Sequence, residues 1–271
     1  IEATAAALKD AGLEWSHLQG LVSASSRFEG GMGWGLHANE IVQAVSEQGI
    51  PTANVGGGCA AGGIAISSAW AMIASGQADV VAAVGAERMP KGFIPRPPGA
   101  ADDIGDSDFL RWITMGATNP AYWAMEARRR MHELGTTAET LASAAVLMRQ
   151  HAQGNPYARF RKPGSVGEVL ASPMVSDPLH LLQICAVSDG AAALVLGTEE
   201  QARKRGGVMV QVAGCATATG LFGDPAARIP TVAMNIAPGV PHTSEVVGAV
   251  HRAMAMAGVG QNWRRKRASF S

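Results

Sequence analysis

Hydrophobic and polar positions alternate in blocks along the chain, and the blocks change period in a regular order. Residues 3–11, "ATAAALKDA", read as a short helix stopped by Gly12. "LQGLVSAS" (residues 18–25) reads as a strand. Ala38 to Gln48 carries Ile41, Val42 and Val45 on one helical face and ends at Gly49. "IPTANV" is a short strand, and residues 60–75 form a small-residue helix ended by Gly76. "ADVVAAVGAE" is a nearly continuous apolar run, the pattern of a strand covered on both faces. Alternation of this kind predicts an α/β fold around a buried parallel sheet.

After residue 88 the character changes. "MPKGFIPRPPGAADDIGDSD" is dense in Pro, Gly and Asp and reads as a loop. Helices are expected over roughly 121–134 and 138–153, with "GNPYARFRKPG" as a further loop. The core resumes with the strand "SDGAAALVLG" and a helix at "TEEQARKRG". "VMVQVAGCATATG" (residues 208–220) alternates Val with other residues and predicts one more strand. Ser244 to Ala257 predicts a last helix, capped by Ser244 and stopped by Gly258. The domain pattern is therefore a core over 1–87, an insertion over 88–186, a return over 187–206 and the start of a second domain over 207–271. "ATAAALKDAGL" and "VHRAMAMAGV" form a weak internal repeat, and each copy lacks a strand that the other has. The chain reads as cut at both ends relative to a two-fold repeated fold.

Composition narrows the classes. The 271 residues carry 22 basic and 22 acidic side chains, so no global field favours nucleic acid. Apolar residues make up 47% and charged residues 16%, which suits a globular core rather than disorder. No apolar run approaches the ~18 residues of a membrane span. Three widely spaced cysteines form neither a disulfide framework nor a zinc pattern, and no histidine has metal-ligand spacing; a reducing, cytoplasmic setting is expected. The four cations at 264–267 read as a solvated tail.

The chemistry points to "NVGGGCAAGGIAI", residues 54–66. Cys59 follows three glycines and precedes a helix. A thiolate there gains from the helix dipole and unpaired N–H groups. Gly57 and Gly58 leave room for a substrate at the backbone. A buried structural thiol is the competing reading, since free cysteine packs well. Cys185 and Cys215 read as packed thiols.

The run "NVGGGCAAGGIAISSAWAMIASGQADVVAAVGAERM" resembles the nucleophile segment of the thiolase superfamily. "ATNPAYWAMEARRRMHELGTT", "NPYARFRK", "VLASPMVSDPLHLL" and "SDGAAALVL" resemble its sterol-carrier-protein, or lipid-transfer-protein, branch. The resemblance runs from residue 3 to about residue 260. It implies a layered αβαβα fold with an inserted loop domain and an incomplete C-terminal half. It also implies thiolase-type acyl transfer, as in an acetyl-CoA acetyltransferase of lipid metabolism, on a fatty-acyl or sterol side-chain CoA. Cys59 takes the place of the acyl-accepting nucleophile. Coenzyme A is substrate, with no resident cofactor or metal. Arg159, Arg161 and Lys162 are candidates to meet the CoA phosphates through charge-assisted hydrogen bonds, with a solvated loop as the favoured competing reading. Asn119 and Tyr122 lie where the family's substrate tunnel passes. A homodimer is expected, with the strand before Cys59 at its interface. The family's histidine-containing segment and its second-cysteine segment do not occur among these residues, so impaired turnover is expected. Two alternatives accompany this reading: a steroid side-chain-CoA aldolase acting with a small partner protein, and a non-catalytic fragment that binds lipid-CoA.

Overall fold

The computed structural model describes residues 1–25, 35–45, 48–88, 119–206, 208–219 and 245–260. These fall into two compact units: one from within Ile1–Met89 together with residues from Asp189 onward, the other from within Pro90–Ser188.

The first unit is built on a four-stranded sheet. Its strands are β1 (Gly20–Ala24), β2 (Thr52–Val55), β3 (Val80–Glu87) and β6 (Gly190–Gly197), in the order β2-β1-β3-β6. β1 pairs in parallel with both β2 and β3. β6 runs antiparallel to β3, from Val80 opposite Gly197 to Glu87 opposite Gly190. The sheet is thus mixed rather than wholly parallel. Apolar continuity in "AAALVL" predicts a strand but carries no information on direction, and β6 is exposed to half-buried along its length, with Leu194 at 53%.

Period-two alternation sorts β1 and β3 onto two faces. Leu21, Val80, Ala82 and Val84 pack with Leu8 of α1 (Glu2–Asp10) and with Ala38, Ile41 and Val42 of α2 (Ala38–Val45). Val22, Ala24, Val81 and Ala83 face the other way, against Ala61, Ala65 and Ala69 of α3 (Ala61–Ala74). Those three alanines are spaced by four, so they form one stripe. With no side chain beyond Cβ, the stripe lets α3 lie close on the sheet.

The alternation at 208–212 does not produce a strand. Residues 208–219 are irregular, and Val208 is 96% exposed. Alternation supplies a face, but a strand also needs a neighbouring backbone to pair with, and none pairs here among the described residues. The segment instead lies on α8 (Glu245–Met256), where a Cβ on Gly214 would stand 2.1 Å from the Ala253 carbonyl oxygen. Gly258, at φ +66°, ends that helix as expected. The expected cap Ser244 and the Pro/Gly-rich loop after residue 88 lie outside the described residues.

The second unit holds α4 (Asn119–Leu134), α5 (Ala138–Ala152) and α6 (Val166–Ala171), with a hairpin of β4 (Met174–Ser176) and β5 (Leu179–His180). α7 (Glu199–Arg205) follows β6 in the first unit. α5 starts at Thr137, whose hydroxyl accepts from Thr140 N–H at 3.2 Å. Ser165 and Glu168 form a reciprocal capping box on α6. Arg128 pairs with Asp177 of the hairpin turn, its Nε donating at 2.6 Å. No described helix is long and apolar enough to cross a membrane.

Two measurements check this account. The Thr4 hydroxyl is fully buried and has no hydrogen-bond partner among the described residues. Thr4→Val removes the unmet group while keeping the shape. It is expected to raise stability by about 1 kcal/mol in urea unfolding. The second measurement concerns the capping box. Backbone N–H of Ser165, then its hydroxyl, bond the Glu168 carboxylate and hold it below the ordinary 4.5. A depressed carboxylate stabilises above its unfolded value, and the gain is lost as pH falls through the folded value. An NMR titration should therefore show Glu168 protonating below 4.5 together with loss of the α6 start, and Glu168→Gln should abolish that step.

Candidate active site

β2 delivers the glycine run. After Val55 the chain passes through Gly56 and Gly57 into a single 3-10 turn, Gly58–Ala60, and then directly into α3. Cys59 sits at the centre of that turn, one residue further from α3 than the sequence suggests. Its thiol is exposed, which favours a reactive over a packed cysteine. Gly57 has φ 162°, an extended value open to any residue. A Cβ there, however, would stand 2.3 Å from Ile64 Cδ1. Gly58 has φ +55°, in the left-handed region, with open space around it. Conformation, not crowding, demands glycine at 58.

The turn closes tightly. Ala60 N–H donates to the Gly57 carbonyl at 3.0 Å, and Ala61 N–H to that of Gly58. α3 then opens with no side-chain cap. The Ala61 N–H is taken by its bond to Gly58; the N–H groups that follow it in the first turn, at Gly62 and Gly63, have no carbonyl within α3 to bond and carry no side chain over them. Such donors suit a thioester oxygen that becomes an oxyanion during acyl transfer.

This edge of the sheet is braced by polar contacts that the sequence reading missed. Asn54 Oδ1, at the end of β2, accepts from Ala38 N–H at 2.7 Å and so caps α2 from another strand. Ser23 Oγ donates to the Leu36 carbonyl at 2.5 Å. His37 lies between these fastenings, half-buried, and its own N–H donates to Glu40 Oε2 at 2.8 Å. Only the last of these pairs is close in sequence. Nothing in the local pattern signals the other two.

The other expected substrate contacts belong to the second unit. Asn119 opens α4, and Tyr122 falls in its first turn. Arg159, Arg161 and Lys162 share one exposed loop. Arg159 is already engaged: its Nη1 donates to the Val187 carbonyl at 2.6 Å and to Ser188 Oγ at 3.1 Å. Its guanidinium also lies 5.7 Å from the centre of the Phe160 ring, which Arg149 approaches to 4.8 Å. Arg161 and Lys162 have no ion-pair partner among the described residues. Cys185 is exposed rather than packed, although its neighbours Ile184 and Ala186 are half-buried; Cys215 is half-buried.

A cavity of about 620 Å³ opens between α1, the Trp15–His17 turn and the end of α2, lined by Leu8, Lys9, Leu13 and Trp15. It lies at the amino-terminal ends of β1 and β2, whereas Cys59 follows the carboxyl end of β2. None of the candidate residues lines it.

Comparison with known proteins adds context. The profile of the thiolase N-terminal domain matches residues 1–200. An acetyl-CoA acetyltransferase of Methanothermobacter thermautotrophicus is 36% identical over 226 residues, covering 81% of this chain and 56% of that protein. Sterol carrier protein 2 of Gallus gallus is 35% identical over 159 residues, 56% of this chain and 29% of that protein. Among solved structures, the Ltp2-ChsH2(DUF35) aldolase superposes with a TM-score of 0.71 at 28% identity, over 95% of this chain and 63% of that one. The chain spans about half the length of the acetyltransferase and less than two thirds of each of the others.

The glycine run yields a paired test. Gly58→Ala forces a Cβ into the left-handed region and is expected to cost about 1–2 kcal/mol in urea unfolding. Gly62→Ala, a helical position with open space around it, is expected to stabilise by about 0.5–1 kcal/mol. The same substitution four residues apart thus changes sign.

Proposed function

The chain belongs to the thiolase family through its N-terminal domain, and from that premise we propose that Cys59 accepts an acyl group from an acyl-CoA. The observation that carries this reading is the exposed thiol on a turn at the carboxyl end of a parallel strand, immediately before an uncapped, glycine-opened helix. The carboxyl ends of parallel strands are where α/β folds bind ligands.

The proposed step is an acyl exchange. The Cys59 thiolate attacks the thioester carbon, and the carbonyl oxygen takes up negative charge facing N–H groups at the α3 start. The bond to the CoA sulfur breaks, CoA leaves as a thiolate that takes up a proton, and the acyl group remains on Cys59. A second thiol or a carbanion then removes it. Coenzyme A is substrate, and the reading invokes no resident cofactor. Arg161 and Lys162 are the free cations of their loop and suit the CoA phosphates; Arg159 serves to hold that loop. Asn119 and Tyr122 are retained as substrate contacts on family resemblance. A fatty-acyl or sterol side-chain group is the proposed cargo, and the reducing cytoplasm is the compartment that suits three free thiols.

β2 is an edge of the described sheet, with residues alternately exposed and half-buried. An open edge of this kind pairs readily with another strand. We assign it to pairing with a second copy of the chain. Sedimentation velocity at micromolar concentration should show a dimer, and a stable monomer overturns that assignment.

A second reading, aldol cleavage beside a partner subunit, is supported by the solved aldolase complex with the matching fold. The two separate in one experiment. Incubating the chain with an acyl-CoA and measuring intact mass should give one acyl adduct, absent in Cys59→Ser. No histidine stands by motif as a base, and missing acid–base help lowers turnover by about 10² to 10⁴. Adduct with little turnover is therefore expected. Aldol cleavage without an adduct favours the second reading. Bound acyl-CoA with neither product discards both in favour of a non-catalytic role.

A further inference from the structure

We propose that Ser25 and Glu87 are positioning residues for Cys59. Through them, the ends of β1 and β3 hold the last rung of β2, from which the cysteine turn departs. The inference rests on the reading of Cys59 as acyl acceptor.

Ser25 follows the last residue of β1 and is 2% exposed. Its Oγ donates to Glu87 Oε1, at the end of β3, over 2.9 Å. Its backbone N–H donates to the Val55 carbonyl, at the end of β2, over 3.3 Å. One residue thus ties β3 by its side chain and β2 by its main chain. Its own freedom is small. A Cβ on Gly35 would stand 2.3 Å from Ser25 Cβ, so Gly35 backbone closes that side. The turn containing Gly35 is itself fastened through Leu36 and Ala38.

The consequence follows from what lies beyond Val55. Only Gly56, Gly57 and Gly58 separate the held rung from Cys59. Glycines supply no side-chain packing and allow the widest range of backbone angles. A tether of this kind does not place the thiol by itself. Its place is set by its two ends, the Val55 rung and α3. A buried hydroxyl bonded to a carboxylate resists displacement, because moving it strands a polar group away from water. The Ser25–Glu87 bond therefore fixes the first end, as the alanine stripe fixes the second.

The test is thiol alkylation of the full chain with iodoacetamide, resolved at each cysteine by peptide mass spectrometry. The variants are Glu87→Ala, Ser25→Ala and Glu87→Gln. In Glu87→Ala and Ser25→Ala, the Cys59 rate should fall about fivefold, the equivalent of one hydrogen bond. The half-buried Cys215 should keep its rate, since general loosening would speed it. Glu87→Gln retains an oxygen acceptor for Ser25 and should restore the Cys59 rate. Unchanged Cys59 labelling in both alanine variants overturns the proposal, as does a Cys215 rate that rises in step. If Glu87→Ala does not fold, Ser25→Ala, which removes one oxygen, decides. Failure of the underlying reading shows separately, in the unsubstituted chain, as labelling at Cys185 or Cys215 faster than at Cys59.

Discussion

Everything at the candidate site depends on how closely α3 lies against β1 and β3. Ala61, Ala65 and Ala69 provide that approach by presenting only methyl groups to Val22, Ala24, Val81 and Ala83. A larger side chain in the stripe would lift the helix and carry its first turn away from the end of β2. The cysteine turn is continuous with that first turn, so packing on a sheet face is converted into the position of a thiol at a sheet edge. Small residues here are therefore a packing requirement with a chemical consequence. Helix propensity accounts for little of it, since Gly62 and Gly63 weaken the helix where it begins.

The opposite face obeys a different rule. There, branched and longer side chains of α1 and α2 fill the space over Leu21 and Val84. α2 is registered on the sheet by Asn54, which caps it across sixteen residues of sequence. The two faces meet at the carboxyl edge, where polar contacts replace apolar packing. That division is physically reasonable. An apolar layer fixes distance between elements, whereas directional hydrogen bonds at the rim fix the course of turns.

The second unit shows why charge pattern alone is a poor guide to function. Arg159, Arg161 and Lys162 look equivalent in sequence. The fold spends Arg159 on the Val187 carbonyl, Ser188 and the Phe160 ring, and leaves the other two in solvent. The same caution applies to the thiols. Cys185 precedes an apolar strand and reads as packed, yet it is exposed.

The sequence by itself determined the elements whose signals are local and long: α1, α2, α3, β1, β3, α4 and α5, each within a few residues. It also determined the cysteine between glycines and small-residue helix, since that pattern lies within thirteen consecutive positions. It reached the short β2 and α7 as well, but three other short elements escaped it. α6 and the β4–β5 hairpin span too few residues for a period to show. Only the tertiary structure decided the direction of β6, because an apolar run is the same pattern read either way. It alone denied residues 208–219 a strand, since alternation provides a face but pairing needs a neighbour. And it alone joined Ser25 to Glu87, residues 62 positions apart, because a hydrogen bond depends on where two chain segments meet and leaves no trace in the order along either.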